Sequence, residues 1–226
     1  MKKTFAVIPV SHFSNAKTRL SPKLTIIERE NLLKAMLKDV ISALDGIVDK
    51  IILVSSDEDV LYYAEDFNVE TLKEIGNKGL NSGLTQAIEY SSKFCDNVLI
   101  VPSDVPLLKK QHVKKILSKA EEFDVIIAPA KGGGTNALLC PANDFSMKFG
   151  DYSFFNHIKE AKLKGLSYKI FDSFYLSLDV NTAEDLGEIM LHGDGTKARE
   201  YLIKSKLKVK SIHGSERLNV SREVFV

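Results

Sequence analysis

Apolar residues fall along the chain in two patterns. Residues 4–10, 50–55 (KIILVS), 97–101 (NVLIV) and 125–129 (VIIAP) are short, nearly unbroken apolar runs bounded by polar or turn residues. That is the pattern of strands buried on both faces. Residues 69–72, 136–140 (NALLC), 168–171 and 174–177 predict further strands. Between these runs the apolar positions recur every three or four residues. In 26–44 they are Leu32, Leu33, Met36, Leu37, Val40, Ile41 and Leu44, and the spacing predicts a helix. Thr25, with Glu28 three residues on, is its expected capping box. Helices are also predicted over 58–67, 84–94, 110–122 and 154–165. Another begins after Thr182, with Asp185 in its first turn, and runs to about 191.

Strands therefore alternate with helices, which predicts an α/β fold with a mainly parallel, twisted sheet flanked by helices. Such sheets bind ligands beyond the carboxyl ends of their strands. The loops after Val10, Val101, Pro129 and Leu178 are the places to look for chemistry. A chain of 226 residues suits one large domain, read here as 1–203. The tail, 204–226, alternates lysine with valine or other residues. That suggests an edge strand or an arm onto a partner subunit, hence a homodimer.

Charge narrows the partners. Lys+Arg 31 nearly balances Asp+Glu 30, for a net charge of +1. A protein that coats nucleic acid would be far more basic. No apolar run approaches the roughly 18–20 residues of a membrane span. Cys95 and Cys140 form no paired motif, so both are expected to be ordinary core residues in a reducing compartment. The expectation is a soluble cytoplasmic protein with no nucleic-acid or membrane partner.

Four segments carry candidate chemistry. After the first strand, Ser14, Asn15, Lys17 and Arg19 form a basic loop, whose two cations suit a triphosphate and a pyrophosphate leaving group. It is not a Walker A loop, and no G-x-G-x-x-G is present. After NVLIV comes Pro102-Ser103-Asp104-Val105-Pro106, where a carboxylate in a proline-stiffened loop is placed for Mg²⁺. Asp179, at a later strand-to-helix junction, is the candidate for a second oxygen ligand. Gly132, Gly133 and Gly134, followed by Thr135, could bring backbone amides to an anion, and Ser153 after Gly150 opens a helix that could hold another. Residues 80–84 are a loop that could contact a base. His157 is expected to be a packing or surface residue, and no Ser/His/Asp or Cys/His set emerges.

Taken in order, Ile8-Pro9-Val10, Phe13 to Ser21, Pro102 to Leu108, Gly133 to Leu138, and Gly150 with Ser153, Phe154 and His157 resemble the 2-phospho-L-lactate guanylyltransferase family. The resemblance spans residues 4–186 and implies the nucleotide-diphospho-sugar-transferase-like (Rossmann-like) version of the fold. It implies GTP and 2-phospho-L-lactate, or phosphoenolpyruvate, as substrates in coenzyme F420 biosynthesis. It implies Asp104 and Asp179 as ligands of Mg²⁺, and Lys17 and Arg19 at the triphosphate. Asn15, Asn81 and Ser103 would stand at the nucleotide, and Thr135, Gly150 and Ser153 would hold the phosphorylated acceptor. One departure stands out: the family's lysine after Ile-Pro-Val is Ser11 here, followed by His12. The alternatives are a related nucleotidyltransferase with another acceptor, or a non-catalytic nucleotide-binding module.

Overall fold

The computed structural model describes residues 2–14, 17–76, 79–211 and 218–222. Asn15 lies outside them. The first half is built from repeated strand–helix units: β1 (Thr4–Pro9), α1 (Ile26–Leu44), β2 (Lys50–Ser55), α2 (Glu58–Ala64), β3 (Glu70–Lys73), α3 (Leu80–Ser91) and β4 (Asn97–Ile100). After it come α4 (Lys110–Lys119), β5 (Val125–Pro129), β6 (Thr135–Pro141), α5 (Ser153–Leu163) and β7 (Tyr168–Ile170). The chain continues through α6 (Phe174–Ser177), α7 (Ala183–His192), α8 (Lys197–Lys204) and the strands β8 (Leu207–Ser211) and β9 (Leu218–Arg222).

The large sheet runs β3-β2-β1-β4-β6-β5-β7. All its pairings are parallel except those of β6, which runs antiparallel to both β4 and β5. Side chains alternate between two cores, as the two-residue period of a strand requires. Ala6, Ile8, Leu99 and Leu139 face one core with α1 and α4. Val7, Val98, Ile100, Leu138 and Cys140 face the other, with α3 and α5. Both faces are covered, so the central strands read in sequence as unbroken apolar runs. Cys140 is fully buried and Cys95 partly so, and both are free thiols.

Local signals set the helix starts. The Thr25 hydroxyl accepts from the Glu28 N–H at 3.3 Å, and the Glu28 carboxylate accepts from the Thr25 N–H at 2.8 Å. Asp185 takes the N–H of Thr182 at 2.7 Å in the same way. Asp39, on α1, performs this service for a distant helix: its carboxylate accepts from the N–H groups of Lys197 and Ala198 at 2.7 and 2.9 Å. These are the first amides of α8, which packs along α1.

Two expectations need correction. Residues 174–177 form the short helix α6, not a strand. Leu176 points inward while Phe174 and Tyr175 are largely exposed; four apolar or aromatic residues carry too little periodicity to separate the two states. Residues 80–84 are the first turn of α3, not a loop. The tail forms its own two-stranded sheet, β8 with β9, apart from the large sheet. Leu207 and Val220 enter the main core. The hairpin lies on α7 so closely that a β-carbon on Gly187 would stand 2.9 Å from Leu218. Among the described residues, no helix is long and apolar enough to cross a membrane.

Candidate active site

The sheet brings the candidate loops to one end. Parallel strands β1 and β4 finish there, and the antiparallel β6 starts there, so residues 10–14, 17–20, 102–108 and the first residues of β6 meet. The loop before α7 is stitched to the loop after β4 by the N–H of Val180, which donates to the carbonyl of Asp104 at 3.0 Å. Two acids 75 positions apart in sequence, Asp104 and Asp179, are neighbours for this reason.

A connected polar network follows. Lys17 forms an ion pair with Asp104 and also donates to the Asn181 side-chain carbonyl at 3.2 Å. The Asn181 amide donates to Asp179 Oδ2. Asn136, at the start of β6, donates to Asp179 Oδ1 at 3.2 Å and to the Leu176 carbonyl at 2.8 Å. Burial, and next the charge of Asp104, push the Asp179 carboxyl above the usual carboxylate range; Asn136 and Lys17 pull against this. Lys17 holds a left-handed backbone, φ 55°, which is uncommon for a residue other than glycine.

Lys17, Arg19, Ser103, Asp104 and Asn181 line one end of a cavity of about 580 Å³, a volume typical of small-molecule sites. Arg19 is exposed at its rim. The other end is walled by Pro9, Val10, Val54, Leu80 and Gly83, with Glu74 among them. His12 stands on the wall, its Nδ1 3.5 Å from Asp57 and its Nε2 3.4 Å from the Ser56 hydroxyl.

Not every expected residue reaches this space. Asn81 holds a main-chain segment instead: its amide donates to the Phe149 carbonyl at 2.8 Å, and its oxygen accepts from the Phe149 N–H at 2.9 Å. Thr135 and Ser153 are brought together, but both are buried. The Ser153 hydroxyl donates to Thr135 Oγ1 at 3.3 Å, and that oxygen lies 2.9 Å from His157 Nδ1. The amides of Ser153 and Phe154 donate to the carbonyls of Gly150 and Gly133. These contacts tie the glycine loop to the start of α5. Thr135→Val is expected to cost about 1–3 kcal/mol of unfolding free energy, because it strands a buried His157 partner. Chemical denaturation checks this, and unchanged stability would free Thr135 for a ligand.

Sequence reasoning passed over Asn181, Asn136 and Glu74. The first two sit inside motifs already singled out, beside Asp179 and Thr135, and only the fold shows that they turn toward the same carboxylate. Among the described residues, no group of three or more His, Cys, Asp or Glu side chains could hold a metal by itself.

A family profile described as "Guanylyl transferase CofC like" matches residues 4–223. The chain belongs to that family. A relative named 2-phospho-L-lactate guanylyltransferase, from Methanothermobacter thermautotrophicus, is 56% identical over 97% of this chain and 99% of its own length. Another of that name, from Methanobrevibacter smithii, is 49% identical over 98% and 99%. Among solved structures, a nucleotidyl transferase from Methanothermobacter has a TM-score of 0.59 at 15% identity, covering 89% of this chain and 99% of that one. The 4-diphosphocytidyl-2C-methyl-D-erythritol synthase of Anaerococcus prevotii has a TM-score of 0.58 at 14%, covering 89% and 96%. At such identities these neighbours bear on the fold of this CofC-like protein, which is that of the nucleotidyltransferases.

Proposed function

We propose that this chain transfers the guanylyl group of GTP to the phosphate of 2-phospho-L-lactate. The products are lactyl-2-diphospho-5'-guanosine and pyrophosphate, on the route to coenzyme F420. Family membership and the names of its relatives support the reaction. The observation that carries it in the molecule is the Lys17–Asp104–Asn181–Asp179 network at the mouth of the cavity.

An acceptor phosphate oxygen attacks the α-phosphorus, and the bond to the bridging oxygen of pyrophosphate breaks. That acceptor is anionic at neutral pH, so no general base is needed. His157 is buried away from the cavity lining, in keeping with this. The protein's tasks are alignment and charge neutralisation. Lys17 is held in place by Asp104 and Asn181, and Arg19 is exposed at the rim; together they would take up charge on the departing pyrophosphate.

The donor set suits a hard cation. Asp104 and Asp179 are near enough for one charge to oppose ionisation of the other, and both present oxygen ligands. Two carboxylates plus substrate phosphates are a usual way of holding Mg²⁺, and Asp104 and Asp179 would hold it here. When bound, it would supply charge neutralisation at the phosphates. Asn136 and Asn181 fix the orientation of Asp179.

Pyrophosphate release tests the reading. Release is expected to need GTP, Mg²⁺ and 2-phospho-L-lactate together. Phosphoenolpyruvate, which differs in one unsaturated carbon, is the second acceptor to assay. Equal release with a sugar phosphate would assign the chain another acceptor, and GTP binding without release under any of these conditions would make it a binding module.

A further inference from the structure

The cavity's second end contains a carboxylate that the transfer chemistry does not use. Glu74 follows the last residue of β3, and its N–H donates to the Ser55 carbonyl at 2.8 Å, which fixes its backbone against β2. Its Oε1 accepts the Gly79 N–H at 3.0 Å. Its Oε2 lies over α3 at Gly83: a β-carbon there would be 3.2 Å from that oxygen and 3.2 Å from the carboxyl carbon. Among the described residues, Glu74 has no cationic partner, and it is half-buried on the cavity wall. Pro9, Val10, Val54 and Leu80 add apolar surface around it. Lys17 pairs with Asp104 in the loop after β4, three strands across the sheet from β3, which Glu74 follows.

We propose that Glu74 reads the base of the nucleotide, accepting the N1–H and the 2-amino group of guanine, with Gly83 leaving the room its carboxylate occupies. This rests on the reading of the cavity as the GTP site. A carboxylate accepts and never donates at neutral pH, and each oxygen has more than one lone pair, so the Gly79 contact does not exhaust it. Guanine offers two adjacent donors on its Watson–Crick edge. Adenine sets the N1 lone pair beside its single 6-amino donor, cytosine pairs a single amino group with an N3 lone pair, and uracil flanks one N–H with two carbonyl oxygens. An acidic acceptor therefore favours guanine and opposes the others. Placing it opposite the cations lets one cavity sort the two ends of a nucleotide by charge.

Calorimetric binding of GTP, ITP, XTP and ATP, each with Mg²⁺, to the full chain and to Glu74→Gln tests this. The unmodified protein is expected to bind GTP at least about tenfold more tightly than ITP, which lacks the 2-amino group. Glu74→Gln is expected to weaken GTP by about 10- to 100-fold, the range for losing a charge-assisted pair, and to weaken ITP less. It is also expected to bind XTP better than the unmodified protein does, because the new amide N–H meets the carbonyl that replaces the 2-amino group. Unfolding cannot produce that gain. Gly83→Ala, which displaces the carboxylate from the helix side, is expected to reduce GTP binding with Glu74 intact. An equal loss across all nucleotides, or none, in Glu74→Gln would overturn the assignment. Failure of the unmodified protein to bind any of the four would instead overturn the site reading beneath it.

Discussion

Asp104→Asn is expected to lower turnover by about 100-fold or more, the range for losing one electrostatic group at a transition state. The substitution keeps the shape and removes one charge. That charge does two things in the folded protein: it pairs with Lys17 and opposes ionisation of Asp179. The backbone of Asp104 is held separately, by its carbonyl's bond from Val180, so the fold is expected to survive with a melting temperature within a few degrees of normal. Steady-state kinetics over a Mg²⁺ series, with a thermal melt on the same sample, checks both halves. The half-saturating Mg²⁺ concentration is expected to rise. Near-normal turnover in a folded Asp104→Asn protein would remove Asp104 from the machinery.

Acidification is expected to destabilise the protein through His157. Its side chain is fully buried. The Lys148 N–H donates to its Nε2 at 3.1 Å, so that nitrogen carries a lone pair, and the ring proton sits on Nδ1, facing Thr135. The ring is therefore neutral in the folded state. Burial, the main cause, holds its pKa down to about 4, against 6.5 for an ordinary histidine, with Lys148 adding to the effect and Glu160 opposing it. The unfolded chain thus binds a proton that the folded chain refuses between those values. The contribution of His157 to stability is complete above pH ~6.5 and is lost as pH falls toward ~4. At about 1.4 kcal/mol per pH unit this comes to about 3 kcal/mol. Asp39 titrates the other way: burial raises its carboxyl to about 6, which favours the folded state as pH falls. The comparison to make is therefore between the protein and His157→Gln, in which the Asp39 effect is common to both. Unfolding free energies from urea titrations at pH 7.5 and 4.5 are expected to show His157→Gln the less stable at the higher pH and the gap closing by about 2–3 kcal/mol at the lower. A gap independent of pH would mean that the ring takes up its proton without cost.

The sheet was legible because its strands are buried on both faces, which leaves runs such as KIILVS and NVLIV with little ambiguity. The capping boxes at Thr25 and Thr182 were legible because their chemistry is local. Residues 174–177 misled because one inward side chain, Leu176, sets no period. The Lys17, Asp104 and Asp179 positions could be named from loops after strands, but their meeting depends on β1 lying beside β4 and on the bond from Val180 to Asp104, and no local pattern encodes either. Thr135 and Ser153 could be named as ligand hydroxyls because small polar residues beside glycines suit anions. Their burial against His157 is a tertiary fact. Glu74 lies in no motif, and only its position across the cavity from the cations gives its charge a purpose.

The bond from Asp39 to the first amides of α8 has a consequence for synthesis. Asp39 is made early, and the amides it accepts from come 158 and 159 residues later. Until then the flank of α1 that α8 covers is open to water, and the Asp39 carboxylate lacks the two amides it accepts from. A chain emerging from the ribosome can assemble its leading strand–helix units well before this seam closes. An arrest or a stop codon just short of residue 197 would leave an otherwise ordered intermediate with an uncovered helix flank, the sort of surface on which chaperones act and aggregates nucleate.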